Sequence, residues 1–243
     1  YFEPQFDGTT TVPNQNIKGT IFTNSDGNFQ DIDYIIVARN DMLNQAERLA
    51  TINRNQYGLN VKVLGLTEIY NEFSTGNQDI GAIRNMVKYV YDNASTPEAR
   101  IKYLCLFGDG SFDYKDRIRN NTNVVPSWYS TNSFNLTSSF VSDDFYGMMD
   151  DNEGTMATSH KLDIAVGRIL ADTPQRAKEM VDKVEQYYSK EAFGSWRNNF
   201  ITVSDDVDED WEGILQQTTD NLGNMVTQEK PFMNVIKIHS DAF

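Results

Sequence analysis

Short apolar runs alternate with amphipathic stretches along most of the chain, which predicts an α/β architecture. Residues 34–38 and 103–107 are apolar runs typical of buried parallel strands, and residues 61–64 form a similar segment. Between them lie two stretches with apolar residues at helical spacing, one ending at Gly58 and one beginning after Asp79. This strand-helix-strand-helix-strand order predicts a parallel sheet with helices on its faces, because such crossovers are right-handed.

The same alternation returns in the second half of the chain. Residues 163–166 predict a strand, and a helix follows that has Pro174 in its first turn. Residues 200–203 and 235–238 predict two more strands, with apolar positions at helical spacing between 211 and 222. The second half therefore predicts another strand-helix series.

Two stretches lack this periodicity. Residues 1–31 carry scattered glycines among polar residues, which predicts an N-terminal tail or linker in which only 17–22 resembles a strand. Residues 108–160 form a long irregular stretch rich in Asn, Ser, Asp and Tyr. A loop of that length inside a compact domain is usually functional or held by its own contacts.

Charge narrows the classes of function. The 243 residues include 35 acidic and 21 basic side chains, which gives a net charge of −14. Nucleic-acid binding needs a basic surface, so nucleic acid is excluded as a partner, and an anionic membrane surface is equally unsuited. The sequence contains no apolar run long enough for a transmembrane segment. The single cysteine excludes an intrachain disulfide and a cysteine-based zinc site.

Few residues suit nucleophilic catalysis. Cys105 lies in the middle of a predicted strand, where a thiol is a small core residue, whereas a nucleophile belongs at a strand end. The only histidines are His160 and His239, and no Gly-x-Ser-x-Gly motif accompanies them. Asp109 follows a strand within Gly-Asp-Gly, a position suited to function but more often one that fixes a turn. We identify no complete catalytic set.

Acidic residues cluster in two loops and suggest calcium, which binds oxygen ligands. The calcium candidates are Asp143, Asp144, Asp150, Asp151, Glu153, Asp205, Asp206 and Asp210. The second cluster is not an EF-hand, because Trp211 stands where the loop needs glycine and Gln217 where it needs glutamate. The alternative is that these are solvated loop acids, some of which match the charge of a helix N-terminus.

Several collinear segments resemble the gingipain family of cysteine peptidases, and most closely its sortase branch in the type IX secretion system of Bacteroidetes. The segments are residues 34–37, 58–63, 69–74 (Ile-Tyr-Asn-Glu-Phe-Ser), 83–84, 89–92, 102–113 (with Phe-Gly-Asp-Gly-Ser-Phe-Asp), 142–147 (Ser-Asp-Asp-Phe-Tyr-Gly) and 163–168. The resemblance implies a caspase-like (gingipain-like) three-layer α/β/α fold with mostly parallel sheets in two subdomains. It places subdomain A at 32–192 and the start of the catalytic subdomain B, truncated here, at 193–243.

The resemblance also bears on the site. The family pairs a histidine in Gly-His-Gly with a cysteine farther along, and neither motif occurs in this sequence. We therefore expect no catalytic residue in this chain and no activity of the chain alone. Asp208 lies nearest to the place where arginine-specific members have a substrate-pocket carboxylate. Because family members bind calcium, the resemblance favours calcium at the acidic clusters, and it implies no required cofactor.

The implied function is that of the N-terminal portion of a cysteine endopeptidase or sortase. Such an enzyme removes C-terminal sorting domains from secreted proteins. The implied partners are those substrates and other type IX secretion components at the outer membrane, and the implied location is secreted or at the cell surface. Two alternatives stay open: a noncatalytic binding or docking module of a secretion complex, and a calcium-binding surface protein.

Overall fold

The computed structural model describes residues 15–132 and 134–240, and these residues form six α-helices and eight β-strands. The helices are α1 (Ile17–Thr20), α2 (Leu43–Tyr57), α3 (Leu66–Phe73), α4 (Ile80–Asp92), α5 (Pro174–Tyr188) and α6 (Gly213–Glu229). The strands are β1 (Tyr34–Ala38), β2 (Val61–Gly65), β3 (Tyr103–Phe107), β4 (Trp128–Tyr129), β5 (Val141–Ser142), β6 (Ala165–Ile169), β7 (Asn199–Ser204) and β8 (Asn234–His239). Every strand and helix described above from the sequence pattern is present, except the strand over 17–22.

The chain divides into two compact units, residues 1–185 and residues 186–243. The first unit contains a four-stranded, all-parallel sheet in the order β2-β1-β3-β6. The second contains the parallel pair β7 and β8, with α6 packed against both strands. The subdomain boundary expected at residue 193 lies a few residues beyond this division.

The helix boundaries follow local chemistry. Gly58 ends α2 in a left-handed conformation (φ 67°), which glycine adopts without steric cost. Asp79 precedes α4, and its carboxylate accepts a hydrogen bond from the backbone N–H of Gly81 at 2.7 Å. The sequence pattern did not predict α3, because this helix follows β2 directly and Gly65 at its start provides no side-chain cap.

The predicted strand over 17–22 is wrong. Residues 17–20 form α1, and Ile17 and Phe22 are buried in the core of the first unit. The Glu72 carboxylate on α3 accepts hydrogen bonds from the backbone N–H groups of Ile17 and Lys18. The described part of the expected tail therefore packs against the sheet and helices.

The long stretch between β3 and β6 is ordered by its own contacts. It contains the antiparallel pair β4 and β5 and a 3-10 helix at Asp144–Gly147. Tyr146 in that helix is fully buried, and its hydroxyl donates to the carbonyl of Pro126. Among the described residues, no helix combines the length and apolar character needed to cross a membrane.

Candidate functional site

The carboxyl ends of parallel strands are where α/β folds usually bind ligands, and in the first unit this edge is organised by Arg168 near the end of β6. Its side chain is only 10% exposed. Nε and Nη2 each lie 2.7 Å from one carboxylate oxygen of Asp143. Nη1 donates to the carbonyls of Gly108 and Val125, both at 2.7 Å, and Nη2 donates to the Ser127 hydroxyl at 2.9 Å. The guanidinium is thus saturated and offers no free donor to a ligand.

A cavity of about 500 Å³ lies beside this ion pair. Its wall includes the polar side chains of Ser127, Ser142 and Asp143, while the exposed apolar residues Phe112 and Leu170 also line it. It therefore combines apolar and polar surface at the sheet edge, as small-ligand and side-chain pockets do.

Asp109 lies two residues after the end of β3 and fixes the turn there through its backbone. Its N–H donates to the carbonyl of Ala171, and its carbonyl accepts from the N–H groups of Val124 and Val125. Its Oδ1 is buried without a hydrogen-bond partner among the described residues. Burial raises the pKa of this carboxyl, and the nearby negative charge of Asp172 raises it further.

Five of the calcium candidates lie in the long stretch before β6: Asp143, Asp144, Asp150, Asp151 and Glu153. Several already have protein partners. Asp143 binds Arg168, and Asp151 lies 3.4 Å from Lys88 Nζ. Glu153 accepts hydrogen bonds from the backbone N–H groups of Asp150 and Lys161. Through these contacts the carboxylates hold the stretch before β6 in place.

The remaining calcium candidates, Asp205, Asp206 and Asp210, lie between β7 and α6. We term this segment the acidic loop (residues 205–210), and its side chains are exposed. The pKa of Asp206 is raised, chiefly by a hydrogen bond with the Asp205 side chain and further by the charge of Asp208. The Glu212 carboxylate accepts the backbone N–H of Asp208 at 2.8 Å and that of the following residue at 2.9 Å. The loop thus concentrates negative charge at the end of β7.

The two acidic clusters do not form a metal-binding set as placed. Among residues 15–132 and 134–240, no three His, Cys, Asp or Glu side chains form a group spaced to hold a metal ion. Calcium therefore stays a prediction that rests on composition and resemblance.

A serine, a histidine and an aspartate meet at the ends of β7 and β8. Ser204 Oγ lies 2.6 Å from His239 Nδ1, and His239 Nε2 lies 3.9 Å from Asp220 Oδ1 on α6. This is not a catalytic triad, since Ser204 is 6% exposed and Asp220 is too far from the ring to hydrogen-bond. Asp220 instead accepts from Lys237 Nζ at 2.6 Å, which lowers its pKa.

Cys105 is a core residue, as its strand position predicted. It is 4% exposed between Ile36 of β1 and Gly167 of β6, and burial raises the pKa of its thiol to about 12. A cavity of about 570 Å³ borders it, with Tyr34 among the lining residues. His160 lies outside the strands, and its Nδ1 is buried without a hydrogen-bond partner among the described residues.

Sequence reasoning missed the Arg168 ion pair and the contacts of Ser204 with His239. The only signals were a Gly-Arg pair inside a strand and two polar residues that end neighbouring strands. Neither signal reveals its partner, because the ion pair joins residues 25 positions apart and the Ser204–His239 contact joins residues 35 apart.

Comparisons with known proteins agree with this architecture. The chain matches the family model of peptidase family C25 over residues 28–243. It is 32% identical to a solved chain of dimeric latent PorU from Porphyromonas gingivalis, with a TM-score of 0.57, over 68% of this chain and 16% of that chain. It is 18% identical to the Arg-specific cysteine proteinase gingipain R (RgpB), with a TM-score of 0.54, over 87% of this chain and 42% of that chain. A search of curated proteins gave no match.

The chain therefore belongs to peptidase family C25, the gingipain family of cysteine peptidases. Within that family it is similar to PorU, and its mostly parallel sheets flanked by helices agree with the caspase-like α/β fold. The chain spans about one sixth of the length of the PorU chain that it matches.

Replacing the buried arginine tests the sheet-edge cluster. Arg168→Met leaves Asp143 without its partner, and we expect unfolding free energy to fall by about 3 kcal/mol in urea denaturation. The matched control is Lys178→Met, which removes an exposed Lys–Asp pair and should cost below about 0.5 kcal/mol. Equal small losses in both variants would show that the Arg168 cluster contributes little to stability.

The thiol of Cys105 should be unreactive in the native protein. Because burial raises its pKa to about 12, the thiol stays protonated at pH 8, where a free cysteine is partly ionised. We expect negligible reaction with Ellman's reagent in buffer and one equivalent per chain in 6 M guanidinium chloride. Rapid native labelling at pH 8 would contradict the core assignment.

Proposed function

We propose that this chain is the N-terminal portion of a gingipain-like cysteine endopeptidase of the sortase type. In this proposal the enzyme processes C-terminal sorting domains of secreted proteins at the cell surface. The similarity to PorU, at 32% identity over 68% of this chain, carries the proposal. The family membership supports cysteine-peptidase chemistry.

The catalytic histidine and cysteine are proposed to lie outside these 243 residues. Peptide cleavage by a cysteine enzyme needs a thiolate and a histidine that protonates the leaving amine. Cys105 is buried with a raised pKa, and Nδ1 of His239 is in contact with Ser204. Neither residue suits those roles, so this chain would supply scaffold and substrate-binding surface.

Asp208 is the residue we propose for substrate recognition. It lies in the exposed acidic loop at the carboxyl end of β7, and its backbone is held by Glu212. A carboxylate in that position would pair with a basic side chain of the substrate, because a guanidinium binds carboxylates through two parallel hydrogen bonds.

The proposed partners follow from the same relationship. They are secreted proteins with C-terminal sorting domains and other type IX secretion components at the outer membrane of Bacteroidetes, and the proposed location is the cell surface. The net charge of −14 remains unsuited to nucleic acid.

Cleavage assays test the proposal with the purified chain and with the product of the encoding gene read beyond Phe243. We expect the longer protein to contain Gly-His-Gly followed by a cysteine and to remove a C-terminal sorting domain. We expect the 243-residue chain alone to leave that substrate intact. A gene without both motifs, or a longer protein that binds the substrate and never cleaves it, would support a noncatalytic docking module instead.

Within the longer protein, Asp208→Asn should weaken cleavage after a basic residue. We expect kcat/KM for such a substrate to fall by roughly 10- to 100-fold, as when one partner of a charged hydrogen-bonded pair is lost. Glu209→Gln, the neighbouring exposed acid, is the matched control and should change it less than about twofold. Equal effects of the two substitutions would remove Asp208 from the pocket.

Calcium binding is proposed for the acidic clusters and is tested on the chain itself. A bound ion stabilises the folded state, so 5 mM calcium should raise the melting temperature relative to EDTA, and magnesium should do so less. Asp205→Asn with Asp206→Asn, compared with Asp150→Asn with Asp151→Asn, would show which cluster binds. An unchanged melting temperature would count against calcium.

A further inference from the structure

The carboxyl ends of β7 and β8 are joined by side chains just before the acidic loop begins. Ser204 and His239 are register partners at the last position of their strands, and Ser204 Oγ lies 2.6 Å from His239 Nδ1. The hydroxyl of the next residue, Ser240, lies 3.1 Å from the carbonyl oxygen of Ser204 and 3.4 Å from Asp205 Oδ1. The last residue of β8 and the residue that follows it thus contact the last residue of β7 and the first residue of the turn after β7.

A carboxylate of α6 lies on a second side of the histidine ring. Asp220 accepts from Lys237 Nζ at 2.6 Å and from the Asn224 amide at 3.0 Å. Lys237 Nζ also donates to Asn224 Oδ1 at 2.7 Å. Asp220 Oδ1, fixed in this way, lies 3.9 Å from His239 Nε2. The ring therefore lies between the hydroxyl on β7 and a carboxylate on the helix.

The acidic loop has few other attachments. Asp206 N–H is hydrogen-bonded to Asp205, and Asp208 N–H to Glu212 at the start of α6. These bonds connect the loop to itself and to the residues that follow it. Its attachment to the strand edge comes from Ser204 and Asp205, through their contacts with His239 and Ser240.

From this geometry we infer that His239, assisted by Ser240, is a positioning residue for the acidic loop and, through the loop, for Asp208. The inference rests on the proposed function, in which Asp208 binds a basic substrate side chain. His239 acts through the direction of the loop and makes no contact with substrate. Loss of the ring would therefore weaken recognition of the basic side chain and leave the chemical step nearly unchanged.

Backbone order measured by NMR on the 243-residue chain tests the positioning without any assay of activity. In His239→Ala, we expect the order parameters of residues 205–210 to fall below those of the parent chain, toward the flexible range under about 0.6. Those of β7 and α6 should stay near 0.85. His239→Asn, which keeps a polar atom near the Nδ1 position, should restore most of the order. His160→Ala, which alters the only other histidine, should change nothing in the loop.

Unchanged loop order in His239→Ala would overturn the inference. An equal loss of order throughout β7, β8 and α6 would also overturn it, because His239 would then serve only the stability of that unit.

The kinetic arm uses the longer, active protein. We expect His239→Ala to raise KM for a substrate with a basic residue before the cleaved bond about 10-fold, within the range for losing one hydrogen-bonded contact, while kcat changes less than about twofold. A large loss of kcat with KM unchanged would overturn the positioning role. If Asp208→Asn has no effect while His239→Ala still loosens the loop, the proposed pocket fails and the positioning of the loop stands.

Discussion

The first unit depends on one buried cation. Arg168 projects from an edge strand of the parallel sheet, and its guanidinium binds Asp143 through two hydrogen bonds while also donating to the carbonyls of Gly108 and Val125. Burying a charge is costly unless every donor finds a partner, so this arginine requires the long stretch after β3 to return to the sheet edge. The turn at Asp109 and the cavity beside the ion pair follow from that return.

The second unit solves a similar problem with polar side chains. The face of β7 and β8 beneath α6 carries Ser204 and His239, polar side chains that would be costly to bury without partners and that contact each other. Asp220 from the helix and Lys237 from the strand form a hydrogen-bonded pair beside them. The ends of the two strands are therefore held together where the acidic loop begins. That loop carries Asp208, the carboxylate proposed to bind the substrate.

Much of the architecture could be predicted because it is local. The apolar runs of β1 and β3, the glycine that ends α2 and the aspartate that caps α4 each act within a few residues. The missed helix α3 shows the limit, since no polar residue caps its start. The short segment at 17–20 shows another, because its conformation depends on Glu72 and on burial against the core.

The sequence by itself determined the chain order of the strands in the two parallel sheets and of the longer helices α2, α4, α5 and α6, together with the acidic character, the burial of Cys105 and the resemblance to a peptidase family. Only the tertiary structure decided which polar residues meet. Arg168 and Asp143, or Ser204 and His239, are brought together by strand register and by the course of a long loop. Periodicity reports which face of an element is buried, but hydrogen-bond partners depend on distances between elements far apart in the chain.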